Sequence, residues 1–393
     1  MPSPPSILGY CTNVHAGTSL DSVLENLQVH AVAVREQLGV PQLGVGLWFS
    51  ETAAEEVCRE GGVERVREAL STMRLVPYTF NGFPQGNFHS SVVKHRVYLP
   101  AWWDPRRAEY TRHLIRILDG LLPPGMPGSI STLPIAWGEP APSRESLAAA
   151  AAELTRIAIE LQQLESETGR RIVLALEPEP GCVFTDGASL RRYFDTYLSP
   201  PALSHAQADA VRQHLTVCHD ICHSAVMWED QADEIRAFAH QGIGIGKVQV
   251  SSAISVPWDQ FDAAQHEEAH QQLALFAEDR YLHQTTYRTA EGELRLVEDL
   301  PLALRDRSLQ RGEWRIHFHV PIYVEAWGRL RSTRGQIERW LELWKAGTPG
   351  LTDATHVEVE TYAWGVLPPG LRTDSLHQGI ANELQWLRSQ WPT

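Results

Sequence analysis

Five short runs constrain this chain more than any other feature: RIVLALEPEPG (171–181), HLTVCHDICH (214–223), GKVQVSSA (246–253), WRIHFHVPIY (314–323) and HVEVETYAW (356–364). Each is apolar or β-branched and bounded by Gly, Pro or polar clusters, which reads as a strand. Successive side chains of a strand point to opposite faces. In the first run Ile172, Leu174 and Leu176 share one face, and Ala175, Glu177 and Glu179 the other. In the second, Leu215 and Val217 oppose Thr216, Cys218 and Asp220. Val248 and Val250 oppose Lys247, Gln249 and Ser251 in the third. In the last, Val357 and Val359 oppose His356, Glu358 and Glu360. These four strands each have one greasy face and one that turns polar toward the C-terminal end.

A polar second face conflicts with a strand buried on both sides, and a (β/α)8 TIM barrel resolves the conflict. Outward residues pack under helices, while inward residues at the C-terminal mouth form a site. The rest of the chain supports an α/β fold. SILGYCTNVHAG precedes a helix pattern over 20–38, with Thr18, Ser19 and Asp21 as capping candidates. LGVGLWFS precedes a helix over 53–73 interrupted at Gly61-Gly62. LVPYTFNGFPQGNF is a third strand and long loop, and Asp104-Pro105 opens the next helix as cap and first-turn proline. GSISTLPIAW is a fourth strand before an alanine-rich helix ending near Thr168. Between the seventh strand and HVEVETYAW lie too many elements for one barrel unit. Either 255–325 is an insertion over the mouth, which is the favoured reading, or IHFHVP fills a barrel position and the strand count shifts by one.

With 393 residues, 43% of them hydrophobic, one elaborated barrel domain spanning 1–393 can bury a large core. A formal charge of -14 argues against nucleic acid and anionic membranes as partners. No apolar stretch is long enough for direct membrane insertion, and the expected location is cytoplasmic. Five scattered cysteines fit buried thiols better than a disulfide framework or a zinc site. GIGIG (242–246) precedes a strand instead of opening a helix, so it is a turn and not a phosphate loop.

The chemistry sits on the inward strand ends. Glu177, Asp220 and Glu360 form a carboxylate set suited to one divalent metal ion, with Gln249 or an imidazole such as His319 completing it. Such a mixed oxygen and nitrogen set favours Mn2+ or Zn2+, with Mg2+ as the alternative. The catalytic candidates are Glu177, Glu360 and His223, the imidazole being suited to orienting substrate or taking its proton. Glu179 and Glu358 are weaker candidates; Glu358 lies deeper, where an ion pair is as good a reading. His219 faces the helix side and reads as a packing residue. A lone D-x-x-H is more often a helix cap than a ligand, but its coincidence with carboxylates on successive strands reverses that preference. His317 and His319 share a face, which suits a metal or a solvated edge strand equally. For a small-molecule metabolite, Asn13, His15, Asn81 and His89 are candidate contacts. Trp48, Trp137, Trp228 and Trp364 fall at strand ends, and Trp137 and Trp364 are expected to wall the substrate.

The order strand-Glu, strand-Asp-x-x-His, polar strand, strand-Glu resembles the xylose isomerase-like TIM barrels, matched here by Glu177, Asp220, His223 and Glu360. YCTNVHAG, TFNGFPQGNFH, SISTLPIAW, RYLHQ and HFHVPI, spread over nearly the whole chain, look like the EboE-like proteins of metabolite traffic. The resemblance implies a metal-dependent isomerase or epimerase, in which two carboxylates beside the ion move a proton. It also implies partner proteins of a metabolite-traffic pathway. Strand seven usually contributes a His ligand in those relatives, where this chain has Gln249; His317, His319 or His283 would then enter from the insertion. A non-catalytic carrier or scaffold on the same barrel is the other reading, and endonuclease action on abasic DNA is disfavoured by the acidic charge.

Overall fold

The structure, a computed structural model, describes residues 7–199, 203–289 and 291–391. Eight parallel strands close a barrel: β1 (Gly9–Cys11), β2 (Leu43–Leu47), β3 (Leu75–Asn81), β4 (Gly128–Thr132), β5 (Ile172–Leu176), β6 (Leu215–Asp220), β7 (Ile245–Val250) and a final strand, His356–Val359, that pairs with both β7 and β1. The outward positions read from the alternation, among them Leu174, Leu176, Val217, Val248 and Val357, are at most 1% exposed. Each such side chain contributes about 1.5–3 kcal/mol by leaving water.

Local chemistry sets the helix ends. Ser19 caps Leu20–Asn26, accepting from the Ser22 amide, and the helical run continues through a π-turn to Gln37. The second helix pattern splits into Glu51–Val57 and Gly62–Met73, with Gly61 at φ 75° between them, a backbone conformation that glycine adopts without strain. Asp104 caps Pro105–Leu121 with the proline in its first turn. Within 255–325 a helix spans Ala263–Ala274, capped by Asp262, which accepts from the Gln265 amide.

Between β7 and the last barrel strand the chain builds a second, six-stranded antiparallel sheet: β8 (Ile254–Pro257), β9 (Thr285–Arg288), β10 (Leu294–Val297), β11 (Glu313–Ile316), β12 (Ala326–Trp327) and β13 (Leu330–Ser332), followed by the barrel-closing β14 (His356–Val359). The IHFHVP segment therefore holds no barrel position. Its strand, β11, lies inside the second sheet between β9 and β8, so His317 and His319 follow an interior strand and not a solvated edge. Both are buried.

The barrel interior is filled below the mouth by an ion pair. Lys247 on β7 and Glu358 on β14 meet at 2.6 Å with both side chains fully buried, and the ammonium also donates to Phe80 O and Ser131 Oγ. Burial alone would lower the Lys247 pKa, but the charge and hydrogen bond of the Glu358 carboxylate, together with the Cys218 and Cys11 thiols, outweigh it and raise it. Glycine on β2 makes the room: a Cβ on Gly46 would fall 1.6 Å from Glu358 Oε2.

Candidate active site

Glu177 directly follows β5, Asp220 ends β6, Gln249 lies on β7 and Glu360 directly follows β14. All four turn inward at the C-terminal end of the barrel. One oxygen from each of Glu177, Asp220 and Glu360 lies within 4.8 Å of the others. Gln249 sits among them: its Nε2 donates to Glu177 Oε1 and Asp220 Oδ2, each at 3.3 Å, and to Glu360 Oε2. Asp220 also does the ordinary work of a helix cap, accepting the His223 amide at 2.9 Å, so the bland reading of D-x-x-H holds alongside the site reading. Its Oδ1 accepts from Ser251 Oγ at 2.8 Å as well.

The electrostatics divide the three acids. Burial, then the Glu360 and Asp220 carboxylates, push Glu177 well above the usual carboxylate range; burial, then Asp220 and Glu358, do the same to Glu360. Burial also works against ionised Asp220, but the His223 and His319 imidazoles, the His223 amide and the Ser251 hydroxyl hold its pKa below the ordinary value.

Three imidazoles converge beside these acids. Nδ1 of His223 lies 2.9 Å from Pro178 O, Nδ1 of His317 2.7 Å from Gln284 Oε1, and Nδ1 of His319 2.7 Å from Glu360 O. Carbonyl oxygens only accept, so each Nδ1 carries a proton, and a neutral ring of this tautomer presents a bare Nε2. Burial, then the neighbouring imidazoles, hold His317 well below the usual range, and burial brings His319 down to about 4. His319 Nε2 has no partner and lies 4.0 Å from Asp220 Oδ2. Glu179, His223 and His317 form a second group with ligand atoms within 4.8 Å of one another; Asp220, His223 and His319 form a third.

These residues fit a divalent cation. Three buried carboxylates face one another, Glu177 Oε2 is buried without a partner, and bare imidazole nitrogens adjoin them. Gln249 corrects the expectation in one respect. It presents a donor to the acids, a neutral stand-in for positive charge, while its Oε1 accepts from Cys218 Sγ at 3.1 Å. To serve as a ligand the amide must turn over and bring Oε1 among the carboxylates.

A small cavity, with about 60 Å³ open to the centre of a water molecule, lies above this floor, lined by Asn13, Asn81, Glu177, Glu179, His223 and Glu360 among others. Asn13 and Asn81 reach it, yet both spend their amide donors on Glu360 Oε1, at 2.7 and 2.8 Å. Four expected substrate contacts do not line it. His15 bonds Tyr10 OH and stacks on His30. His89 turns to Asn13 O at 2.7 Å. Trp137 packs against Tyr98 and His95. Trp364 bonds Glu383 and lies over Gly379, where a Cβ would meet the ring at 2.3 Å. Trp48 bonds Pro84 O, and Trp228 stacks under Arg315. His219 bonds Gln231, and His283 bonds Glu278 and His317 O; neither lines the cavity.

Sequence reasoning missed Tyr98 and Gln284. Tyr98 OH donates to Glu179 Oε1 at 2.7 Å, and Gln284 Nε2 donates to the same oxygen at 3.0 Å while its Oε1 fixes His317. Gln284 lies in an irregular segment and Tyr98 ends a short 3-10 helix, Lys94–Tyr98, too brief to carry a readable period. Only the nearness of Gln284 to His283 in RYLHQ offered a signal.

No protein-family model and no curated protein matches the chain. Among solved structures, a xylose isomerase-like TIM barrel protein from Mycobacterium smegmatis in complex with magnesium aligns over 100% of both chains, at 11% identity and a TM-score of 0.51. The fold is that of the xylose isomerase-like TIM barrels. A xylose isomerase domain protein from Alicyclobacillus acidocaldarius subsp. acidocaldarius aligns over 98% of both chains at 13% identity and a TM-score of 0.45. The IOLI protein with a binding zinc atom aligns over 98% of this chain and 99% of its own, at 12% identity and a TM-score of 0.47. At these identities the likeness concerns the fold and leaves the chemistry to be argued from the residues.

Proposed function

We propose that this protein is a divalent-metal-dependent isomerase or epimerase acting on a small polar metabolite. The observation that carries the reading is the convergence of Glu177, Asp220 and Glu360 within 4.8 Å of one another, with Glu177, Glu360 and the neighbouring His223 lining the cavity. These three acids, with His319 and a turned Gln249, would hold one ion. Mn2+ or Zn2+ suits the mixed donors best, and Mg2+ is the alternative. When bound, such an ion polarises a carbonyl or hydroxyl oxygen of the substrate.

The residues then have distinct roles. Glu360 has both oxygens engaged, by Asn13 and Asn81 on one and Gln249 on the other, and is a holding group first. Glu177 keeps Oε2 without a partner, which makes it the better proton acceptor from a substrate carbon. His223 presents Nε2 to receive or return a proton. A setting in secondary metabolism, with partner proteins of a metabolite-traffic pathway, is part of the proposal and rests on the EboE-like segments alone. Among the described residues, no helix is long and apolar enough to cross a membrane.

One observation favours a second reading, a carrier or scaffold without catalysis: the Gln249 amide nitrogen already stands within hydrogen-bond reach of one oxygen of each acid, where an ion would otherwise sit. The test is the metal content of protein purified without added metal or chelator, beside a Glu177→Gln/Glu360→Gln variant, together with solvent deuterium exchange into bound substrate. A near-stoichiometric ion lost in the variant, with exchange lost alongside it, supports the enzyme. Absence of an ion even after adding Mn2+ or Zn2+ moves the choice to the carrier.

A further inference from the structure

The lining of the cavity divides by origin. Residues from the strand ends and from 317–319 are polar, while those from the β3 loop and 281–282 include Phe83, Phe88, Val93, Val97 and Leu282. The polar groups on this second wall are already engaged. Tyr98 OH turns to Glu179 at 2.7 Å, Tyr281 OH donates to Phe88 O at 3.2 Å, and the Lys94 ammonium is paired with Asp299. The amides of Val93 and Lys94 both donate to Arg280 O, at 2.7 and 2.9 Å. A free sugar placed on the floor would point its remaining hydroxyls at carbon, and a buried hydroxyl without a partner weakens binding.

We propose that the natural ligand is amphipathic: a small hydroxylated or carbonyl head for the acid and imidazole floor, carrying an apolar chain or ring that the 83–98 loop covers. The proposal rests on the metal-site reading for the head and on the wall alone for the tail. Aromatic contacts brace the wall, since Phe88, Tyr281 and Tyr362 pack mutually with centroids 5.0–5.4 Å apart.

The test is calorimetric titration of the full chain, loaded with Mn2+, with glucose and with n-hexyl β-D-glucopyranoside below its micelle concentration. The expected result is tighter binding of the hexyl glycoside by about tenfold or more, since several methylenes leave water. Val97→Ser and, independently, Leu282→Ser should shrink that preference while leaving Mn2+ stoichiometry unchanged. Equal affinities, a preference for glucose, no saturable binding of the hexyl glycoside, or a preference untouched by both variants would overturn it. Failure of this kind with Mn2+ still bound sinks the amphipathic ligand alone; failure to bind Mn2+ sinks the reading beneath it.

Discussion

His223 and His317 meet nearly at right angles with Nε2 facing Nε2 at 3.1 Å, although each ring has committed its proton to an oxygen on the far side. Two bare lone pairs at that distance repel unless something positive joins them. The pair therefore behaves as a receptor for a proton or a cation. Long-range 1H–15N spectra of histidine-labelled protein should show His223, His317 and His319 as the Nδ1–H tautomer. Added Zn2+ should move their Nε2 resonances before those of exposed histidines. An Nε2–H tautomer at His317 would refute the arrangement.

Asn13 and Asn81 supply a second test, because both aim at one oxygen of Glu360. Outer partners of this kind orient a ligand and typically carry about 10–100-fold in metal affinity. Asn81→Leu should weaken Mn2+ binding by that order while the far-ultraviolet circular dichroism stays unchanged, and Asn13→Leu should act similarly. Unaltered Mn2+ affinity in both variants would mean that Glu360 needs no support, or holds no ion.

Strand alternation makes the acids legible in the sequence itself. Period two puts Glu177, Asp220, Gln249 and Glu360 on the inward face, and the structure brings three of their carboxylates together. It also places Lys247 and Glu358 inward, but parity does not report depth, and their pairing needs the barrel's register. The tryptophans mislead for a related reason. A strand end fixes where a ring begins and not which way it turns. Trp364 turns away from the cavity into the space left by Gly379 on Leu376–Gln390, a helix that the sequence patterns did not assign. Gln284 and Tyr98 stay hidden because an irregular segment and a single short 3-10 helix have no period to read.

The Lys247–Glu358 pair yields a prediction about stability. Removing one partner leaves the other charge buried, at about 3–5 kcal/mol. Lys247→Met should therefore lower unfolding free energy by that amount in urea. The double variant Lys247→Met/Glu358→Leu should recover much of the loss, since apolar replacements of a buried pair are often neutral. A cost below about 1 kcal/mol for Lys247→Met would show that the Glu358 carboxyl takes up a proton cheaply once its partner is gone.

Glu383 sets a pH dependence that can be signed. It is 1% exposed, and burial raises its pKa from 4.5 to about 7 despite accepting from Thr361 Oγ1, Ile322 N and Trp364 Nε1. The folded state thus keeps a proton that the unfolded chain has already lost between pH 4.5 and 7. Stability from this group is fully present below about pH 4.5, declines as pH rises through that window and levels off above 7, by a total on the order of 3 kcal/mol. Glu383→Gln cannot titrate, so its stability should be flatter with pH from 5 to 8. The amide cannot accept from Trp364 through its nitrogen, which costs about 1 kcal/mol at every pH. The slopes, measured by urea unfolding at several pH values, are therefore the quantity to compare. Parallel slopes for the two proteins would mean that Glu383 is ionised throughout, held so by its three donors.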